Sequence, residues 1–225
     1  MTTHVTYAAK AGGKLEGAQA EPAGSGKVGA VVVVQEWHGV TDQIKGKVDR
    51  FAREGFLSLA PDLYHGKVTT SDEEAGRLLG QLDWPRAVAE IGDAVAHLRA
   101  DPRSNGKVAV LGYCMGGALT FSAARFVEGL ACAVAFYGMP QVPQAELAKT
   151  KVPIQAHFAK KDDWAKASVA EALRDAVQAA GGHMELFVYD AGHAFMRDGD
   201  PAKYDATASA AAWTRTLDFL KKHLG

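Results

Sequence analysis

The chain has 225 residues, and its 25 Lys and Arg residues nearly balance its 26 Asp and Glu residues. This length suits one α/β domain with a substantial core, and the balanced charge argues against nucleic-acid or membrane-surface binding through bulk charge. The two cysteines, Cys114 and Cys132, are too few for a disulfide framework and favour a reducing compartment. Residues 1–25 contain no long apolar stretch of the signal-peptide kind, so we expect a cytoplasmic protein.

Strand and helix patterns alternate along the chain. A weakly alternating edge strand is predicted over 3–8, and the turn-rich stretch 11–27 has room for one short strand around 14–16. The predicted buried strands are 28–35, 56–60, 108–111, 131–137, 152–158 and 184–189. Helices are predicted over 42–54, from 70–74 onward, and over 83–99, 115–128, 168–180 and 206–224, with a turn over 101–106. This alternation predicts a single-domain α/β fold over 1–225, with a mostly parallel central sheet and helices on both faces.

The strongest local pattern is an apolar run that ends in a glycine-flanked cysteine and continues into a helix. Gly112-Tyr113-Cys114-Met115-Gly116 has the G-x-S-x-G spacing of the α/β-hydrolase nucleophile elbow, with Cys in place of Ser. Glycines flank the nucleophile because a sharp strand-to-helix turn leaves no room for Cβ atoms. We expect the helix N-terminus to favour the Cys114 thiolate, and the Met115 amide to donate to an oxyanion. A small buried cysteine without chemistry is the alternative.

Acid and base candidates follow the predicted strands. In parallel sheets, functional side chains collect past the C-terminal strand ends. Asp162 and Asp163 follow the strand 152–158, and His193 follows the last strand. With Cys114 they give the chain order nucleophile, acid, base that α/β-hydrolases have. His193 is the predicted base, and Asp162 is predicted to orient its ring, with the adjacent Asp163 as the alternative.

The remaining histidines and the second cysteine have simpler interpretations. His38 and His65 also sit at strand ends, but no zinc-type Cys/His spacing accompanies them, so we expect loop roles and no metal. Cys132 lies within a predicted strand and is expected to be buried and inert.

Several motifs together resemble the dienelactone hydrolase (carboxymethylenebutenolidase) family from about residue 28 to the C-terminus. They are Gln35-Glu36-Trp37-His38-Gly39, Pro61-Asp62-Leu63-Tyr64, Gly112-Tyr113-Cys114-Met115-Gly116-Gly117 and Ala191-Gly192-His193-Ala194-Phe195. The resemblance implies a single-domain α/β-hydrolase that opens a carboxylate-bearing enol-lactone without a cofactor, in the breakdown of aromatic compounds.

The resemblance also implies roles for individual residues. Cys114 corresponds to the nucleophile, Asp162 to the triad acid and His193 to the triad base. Glu36 corresponds to a glutamate that accepts the thiol proton as substrate arrives, and the Trp37 amide corresponds to the second oxyanion donor.

Substrate binding is the least defined part of the resemblance. Arg197 matches an arginine that holds the substrate carboxylate, and a guanidinium is the natural bidentate partner of such a group. Arg77 is a loose match to a second such arginine, and Tyr64 is assigned to the same function. The family usually has a glycine where Ala159 stands, so the loop that carries Asp162 is expected to differ slightly.

Two other functions compete with dienelactone hydrolysis. One is a broader esterase or thioesterase on the same scaffold, acting on substrates without a carboxylate. The other is a non-catalytic binder or thiol redox sensor, which would need an exposed thiol of low pKa but no triad. In both hydrolase interpretations the binding partner is a small-molecule ester or lactone. We expect the protein to be a monomer.

Overall fold

The computed structural model describes residues 1–225 in full. The strands are β1 (Thr3–Ala8), β2 (Lys14–Ala20), β3 (Val28–Val34), β4 (Leu57–Pro61), β5 (Ser104–Tyr113), β6 (Cys132–Phe136), β7 (Ile154–Lys161) and β8 (Met184–Gly192). The helices are α1 (Asp42–Arg53), α2 (Asp72–Gly80), α3 (Trp84–Ala100), α4 (Met115–Phe126), α5 (Gln144–Leu147), α6 (Ala167–Ala179) and α7 (Ala206–Leu224).

All eight strands belong to one sheet, in the order β1-β2-β4-β3-β5-β6-β7-β8. The six strands from β4 to β8 pair in parallel. Only β2 runs against its neighbours, pairing antiparallel with both β1 and β4. The prediction of a mostly parallel sheet is therefore confirmed, and the C-terminal ends of the central strands meet at one edge.

Helices cover both faces of the sheet, as predicted. The alternate residues of β3 show why its valine run has no polar face: Val31 and Val33 belong to the core under α1 and α7, whereas Val32 and Val34 belong to the core under α3 and α4. A strand buried on both faces needs apolar side chains at every position.

Side-chain caps set the start of four helices. Thr41, Ser71, Asp83 and Asp205 each accept a hydrogen bond from the backbone amide three residues further along. These bonds satisfy amides that have no acceptor within the helix. None of the helices combines the length and the apolar composition that a bilayer crossing requires.

Two local predictions need correction, and one short helix was missed. Strand β2 extends to Ala20, beyond the short strand predicted around 14–16, because Gly17–Ala20 pair with β4; such tertiary pairing overrides the weak β-propensity of glycine and alanine. The predicted turn over 101–106 is wrong in its second half, where β5 already begins at Ser104. The single turn of α5 was not predicted.

A buried polar cluster lies on β7, away from the site described below. His157 is fully buried, with Nδ1 2.8 Å from the Tyr189 hydroxyl and Nε2 2.9 Å from Gln155 Oε1. Burial, with a smaller contribution from the Arg215 charge, lowers the pKa of His157 to about 3. The ring is therefore neutral in the folded protein throughout the ordinary pH range.

This burial predicts a pH dependence of stability. Between pH about 6.5 and about 3 the unfolded chain takes up a proton that folded His157 does not, so the free energy of unfolding falls as the pH falls, by at most about 1.4 kcal/mol per pH unit for one proton. His157→Gln should have a shallower dependence over this window in urea unfolding measured across pH. The control His4→Gln, at an exposed position, should retain the wild-type slope. Equal slopes in both variants would contradict the prediction.

Candidate active site

The turn between β5 and α4 is strained at the cysteine. Cys114 has φ 54° and ψ −115°, a conformation that side chains rarely adopt. A Cβ on Gly112 would lie 2.2 Å from the Gly116 carbonyl oxygen, and a Cβ on Gly116 would lie 2.4 Å from the Val34 carbonyl oxygen. The two flanking glycines are therefore required by space, as the elbow pattern predicts, and strain of this kind collects at functional positions.

A hydrogen-bonded relay connects the acid, the base and the cysteine. His193 Nδ1 lies 2.6 Å from Asp162 Oδ2, and His193 Nε2 lies 3.3 Å from Cys114 Sγ. Asp162 directly follows β7, and its side chain is fully buried beneath His193. Asp163, the alternative acid, is exposed instead. The structure thus brings together the three residues that the sequence placed past different strands.

Backbone amides hold the acid in place. Asp162 Oδ1 accepts hydrogen bonds from the amides of Trp164, at 2.9 Å, and Ala165, at 2.8 Å, which leaves Oδ2 for His193. Burial opposes ionisation of this carboxyl, but the hydrogen bonds from His193 and the two amides outweigh it and lower the Asp162 pKa. Ala159 stays within β7 without a positive φ, so this loop tolerates the missing glycine.

The imidazole is held between two aromatic rings. Tyr137 lies edge-on to His193 with ring centroids 5.1 Å apart, and Trp164 does so at 5.2 Å. With Asp162 at one nitrogen, these contacts fix the ring so that Nε2 faces the sulfur. Side-chain packing thereby orients the His193 imidazole.

The resting state of the cysteine differs from the sequence prediction. Burial raises the pKa of the Cys114 thiol to about 12, the neighbouring carboxylate of Glu36 adds to this, and the Met115 amide opposes it. The helix N-terminus acts in the predicted direction, since the Met115 amide lowers the Cys114 pKa, but burial and Glu36 outweigh it. A single amide does not compensate a sulfur that is removed from water and faces a buried acid.

That buried acid has one cationic partner. The side chain of Glu36 is 5% exposed, and Arg197 Nε lies 3.5 Å from its Oε2. Burial raises the pKa of Glu36, while the charges of Arg197 and His193 lower it. Cys114 makes its hydrogen bond with His193, and Glu36 makes none with the sulfur. At rest, therefore, Glu36 is engaged by Arg197.

Two backbone amides have the placement expected of oxyanion donors. Met115 is the first residue of α4, so its amide has no acceptor within the helix, and it is directed at the Cys114 sulfur. The Trp37 amide, in the loop after β3, donates to no backbone carbonyl. Trp37 lines the same cleft as Cys114, and neither amide is committed to a backbone carbonyl at this site.

These groups open onto one cleft of ≈ 250 Å³. It is lined by Glu36, Trp37, Leu79, Cys114, Trp164, His193, Ala194, Arg197 and Lys203. Sequence patterns do not single out Leu79, Trp164 or Lys203, since such helix and loop residues line a cleft only when distant segments of the chain pack together. His38, expected to have a loop role, lies behind Arg197, with its Nδ1 2.8 Å from Arg197 Nη2.

Two predicted substrate-binding residues lie elsewhere. Arg77 is exposed on α2, where its guanidinium bonds Glu74 and Gln81, and it does not line the cleft. Tyr64 is buried, and its hydroxyl donates a hydrogen bond to Met115 Sδ at 3.2 Å. Neither of the two predicted substrate-binding side chains therefore lines the cleft in this structure.

The fold and the elbow define this protein as an α/β-hydrolase. The model of the dienelactone hydrolase family matches residues 15–224. The chain is 34% identical to a carboxymethylenebutenolidase of Pseudomonas sp. strain P51, over 99% of this chain and 96% of that protein. It is 33% identical to the protein usf of Aquifex pyrophilus, over 96% of each. A structure from Klebsiella pneumoniae, described as a dienelactone hydrolase, superposes with a TM-score of 0.86 at 26% identity and covers 97% of this chain and 98% of that one.

The chain belongs to the dienelactone hydrolase family, and it is an enzyme, a hydrolase of the dienelactone hydrolase type. The resemblance drawn from its motifs is thereby confirmed at the level of the family and of the reaction class.

The buried position of Asp162 predicts a difference between two adjacent acids. Asp162→Asn should lower kcat for p-nitrophenyl acetate by roughly 10²–10⁴-fold, because an amide would hold His193 in the wrong tautomer. Asp163→Asn, the matched control at an exposed position, should retain the wild-type kcat. Steady-state absorbance assays on both variants make the comparison. Similar losses in the two variants, or none in Asp162→Asn, would refute the assignment of the acid.

Proposed function

We propose that this enzyme opens a carboxylate-bearing enol-lactone, a dienelactone, in the breakdown of aromatic compounds, as a cytoplasmic monomer without a cofactor. Cys114 is the nucleophile, His193 the base and Asp162 the acid that orients it. The observation that carries the proposal is that this relay and the Arg197 guanidinium face the same cleft. The name of the Pseudomonas relative, carboxymethylenebutenolidase, supports the substrate class.

Substrate binding would activate the resting thiol. A substrate carboxylate that pairs with Arg197 competes with Glu36 for the guanidinium. Because the Arg197 charge lowers the Glu36 pKa, a weaker hold on Glu36 makes this carboxylate a stronger base. Glu36 then takes the proton from Cys114 Sγ. An anionic substrate thus generates the thiolate, whereas the free enzyme keeps an unreactive thiol.

The thiolate attacks the lactone carbonyl carbon and forms a tetrahedral oxyanion. The amides of Met115 and Trp37 donate to this oxygen, and such preorganised donors are among the largest contributions to acyl-transfer catalysis. Collapse of the intermediate breaks the ring C–O bond and leaves a Cys114 thioester whose acyl chain ends in an enolate. The proton that Glu36 took from the sulfur passes to the enolate carbon, which returns Glu36 to its carboxylate form and gives a ketone that cannot readily close the ring again.

Water completes the cycle. His193 Nε2 accepts a proton from a water molecule, which attacks the thioester carbonyl, while buried Asp162 stabilises the imidazolium. The C–S bond breaks and the proton returns to the sulfur. Cys114 is then again a neutral thiol that hydrogen bonds His193.

A broader esterase is the second candidate, and the apolar side of the cleft favours it. Leu79, Trp37 and Trp164 line the space beside Cys114 and could hold a neutral acyl or aryl group. A redox sensor is disfavoured, because a sensor thiol has a low pKa and burial raises that of Cys114 to about 12.

The direct test is whether the enzyme still turns over substrate when the Cys114 sulfur is removed. Wild type should hydrolyse cis-dienelactone efficiently in a steady-state ultraviolet assay, and Cys114→Ala should show no turnover above background, because the nucleophile is gone. Cys114→Ser should be strongly impaired, since a hydroxyl needs a stronger base than a thiol does. Full activity in Cys114→Ala would refute the proposal. Cleavage of p-nitrophenyl acetate alone, still dependent on Cys114, would support the esterase instead.

The role of Arg197 separates the two candidates. Arg197→Ala should raise KM for cis-dienelactone by at least roughly tenfold, as expected for loss of a charge-assisted hydrogen bond. KM for the neutral methyl ester of the same lactone should stay unchanged. Arg77→Ala is the matched control, an exposed arginine outside the cleft, and should leave both values as in wild type. Equal effects of Arg197→Ala on the acid and the ester would contradict carboxylate recognition.

A further inference from the structure

A buried histidine connects Arg197 to helix α2. His38, in the loop after β3, is 3% exposed. Its Nδ1 lies 2.8 Å from Arg197 Nη2, and its Nε2 lies 3.0 Å from Asp72 Oδ1 at the start of α2. Three elements distant in the chain therefore meet at one imidazole.

The two contacts define the protonation of this ring. Arg197 can only donate, so His38 Nδ1 must accept, and the proton must lie on Nε2, which donates to Asp72. The charged groups that face His38 are Arg197, Asp72 and Lys203. Burial lowers the pKa of His38, the charges of Arg197 and Lys203 add to this, and together they outweigh Asp72, which raises it. A lowered pKa agrees with a neutral ring.

The three nitrogens of the Arg197 guanidinium have different surroundings. Nε faces Glu36, Nη2 donates to His38, and Nη1 has no partner within the chain. The side chain of Arg197 is 17% exposed and lines the cleft, so Nη1 and the remaining Nη2 proton are left for a ligand. Without His38, the Nη2 group would be free to pair with Glu36 as well, and a bidentate Arg–carboxylate pair is the geometry that both groups prefer.

We propose that His38 is a positioning residue for substrate recognition: it holds Arg197 apart from a full pairing with Glu36, and Asp72 fixes the tautomer that allows this. The inference rests on the proposed function, because it takes Arg197 as the group that binds the substrate carboxylate. It assigns to the Asp72–His38 pair the selectivity for anionic over neutral lactones, although neither residue lines the cleft.

The test compares an acid with its own ester. His38→Phe keeps a planar ring in the buried space but removes the acceptor for Arg197. KM for cis-dienelactone should rise roughly tenfold, as expected for one hydrogen bond to a charged group, while KM for its methyl ester and kcat for the ester stay as in wild type. A role in stability alone would change both substrates equally.

A surface variant tests the same chain of contacts without altering the core. Asp72→Ala should raise KM for cis-dienelactone roughly threefold, the size expected for loss of one hydrogen bond from a neutral ring, with no change for the ester. Glu73→Ala is the matched control, an acidic neighbour in the same helical turn without a contact to His38, and should behave as wild type. If His38→Phe does not fold, Asp72→Ala decides.

Arg197→Ala, measured in the same series, separates the proposed function from the inference about His38. If Arg197→Ala raises KM for the acid but His38→Phe and Asp72→Ala do not, the inference is overturned and the proposed function stands. If Arg197→Ala does not raise KM selectively for the acid, the proposed contact between Arg197 and the substrate carboxylate is refuted. The inference about His38 is then refuted as well. A rise in KM for the acid but not for the ester in all three variants, with no rise in Glu73→Ala, supports both the proposed function and the inference.

Discussion

The site depends on one buried carboxylate. Glu36 is almost without solvent, and a charge in that position is costly unless a partner compensates it. Arg197 is that partner, at 3.5 Å. The same carboxylate raises the pKa of the neighbouring Cys114 thiol, together with burial. The protonation of the Cys114 sulfur and the engagement of Arg197 are therefore coupled through Glu36, and a ligand that binds the arginine would alter the pKa of the thiol.

The fold makes this coupling possible by placing strand ends side by side. Glu36 follows β3, Cys114 follows β5, Asp162 follows β7 and His193 follows β8, all at the C-terminal edge of one parallel sheet. Each residue leaves a rigid strand, so the distances between them are set by strand spacing rather than by flexible loops. Arg197, further along the loop that carries His193, brings the cation to the same edge. The chemistry is concentrated where the architecture is stiffest.

Features of this protein that have local causes can be predicted from its sequence, whereas features that depend on contacts between distant segments cannot. The β-branched run of β3 and the two glycines at Cys114 have local causes, so sequence predicts both the buried strand and the elbow. The raised pKa of Cys114 does not follow from its neighbours in sequence, because it depends on burial and on Glu36 from another strand. The choice between Arg77 and Arg197 also depends on distant segments, because only the packed structure shows that Arg197 is the arginine that lines the cleft.

The central claim is that the unliganded enzyme holds Cys114 as a neutral thiol. Its most direct test is the ultraviolet absorbance of the thiolate followed across pH, with the Cys114→Ser titration subtracted to remove Cys132 and the tyrosines. The account predicts no Cys114 thiolate at neutral pH, because burial and Glu36 raise the pKa of this thiol to about 12. A thiolate already present at or below neutral pH in the free enzyme would contradict it.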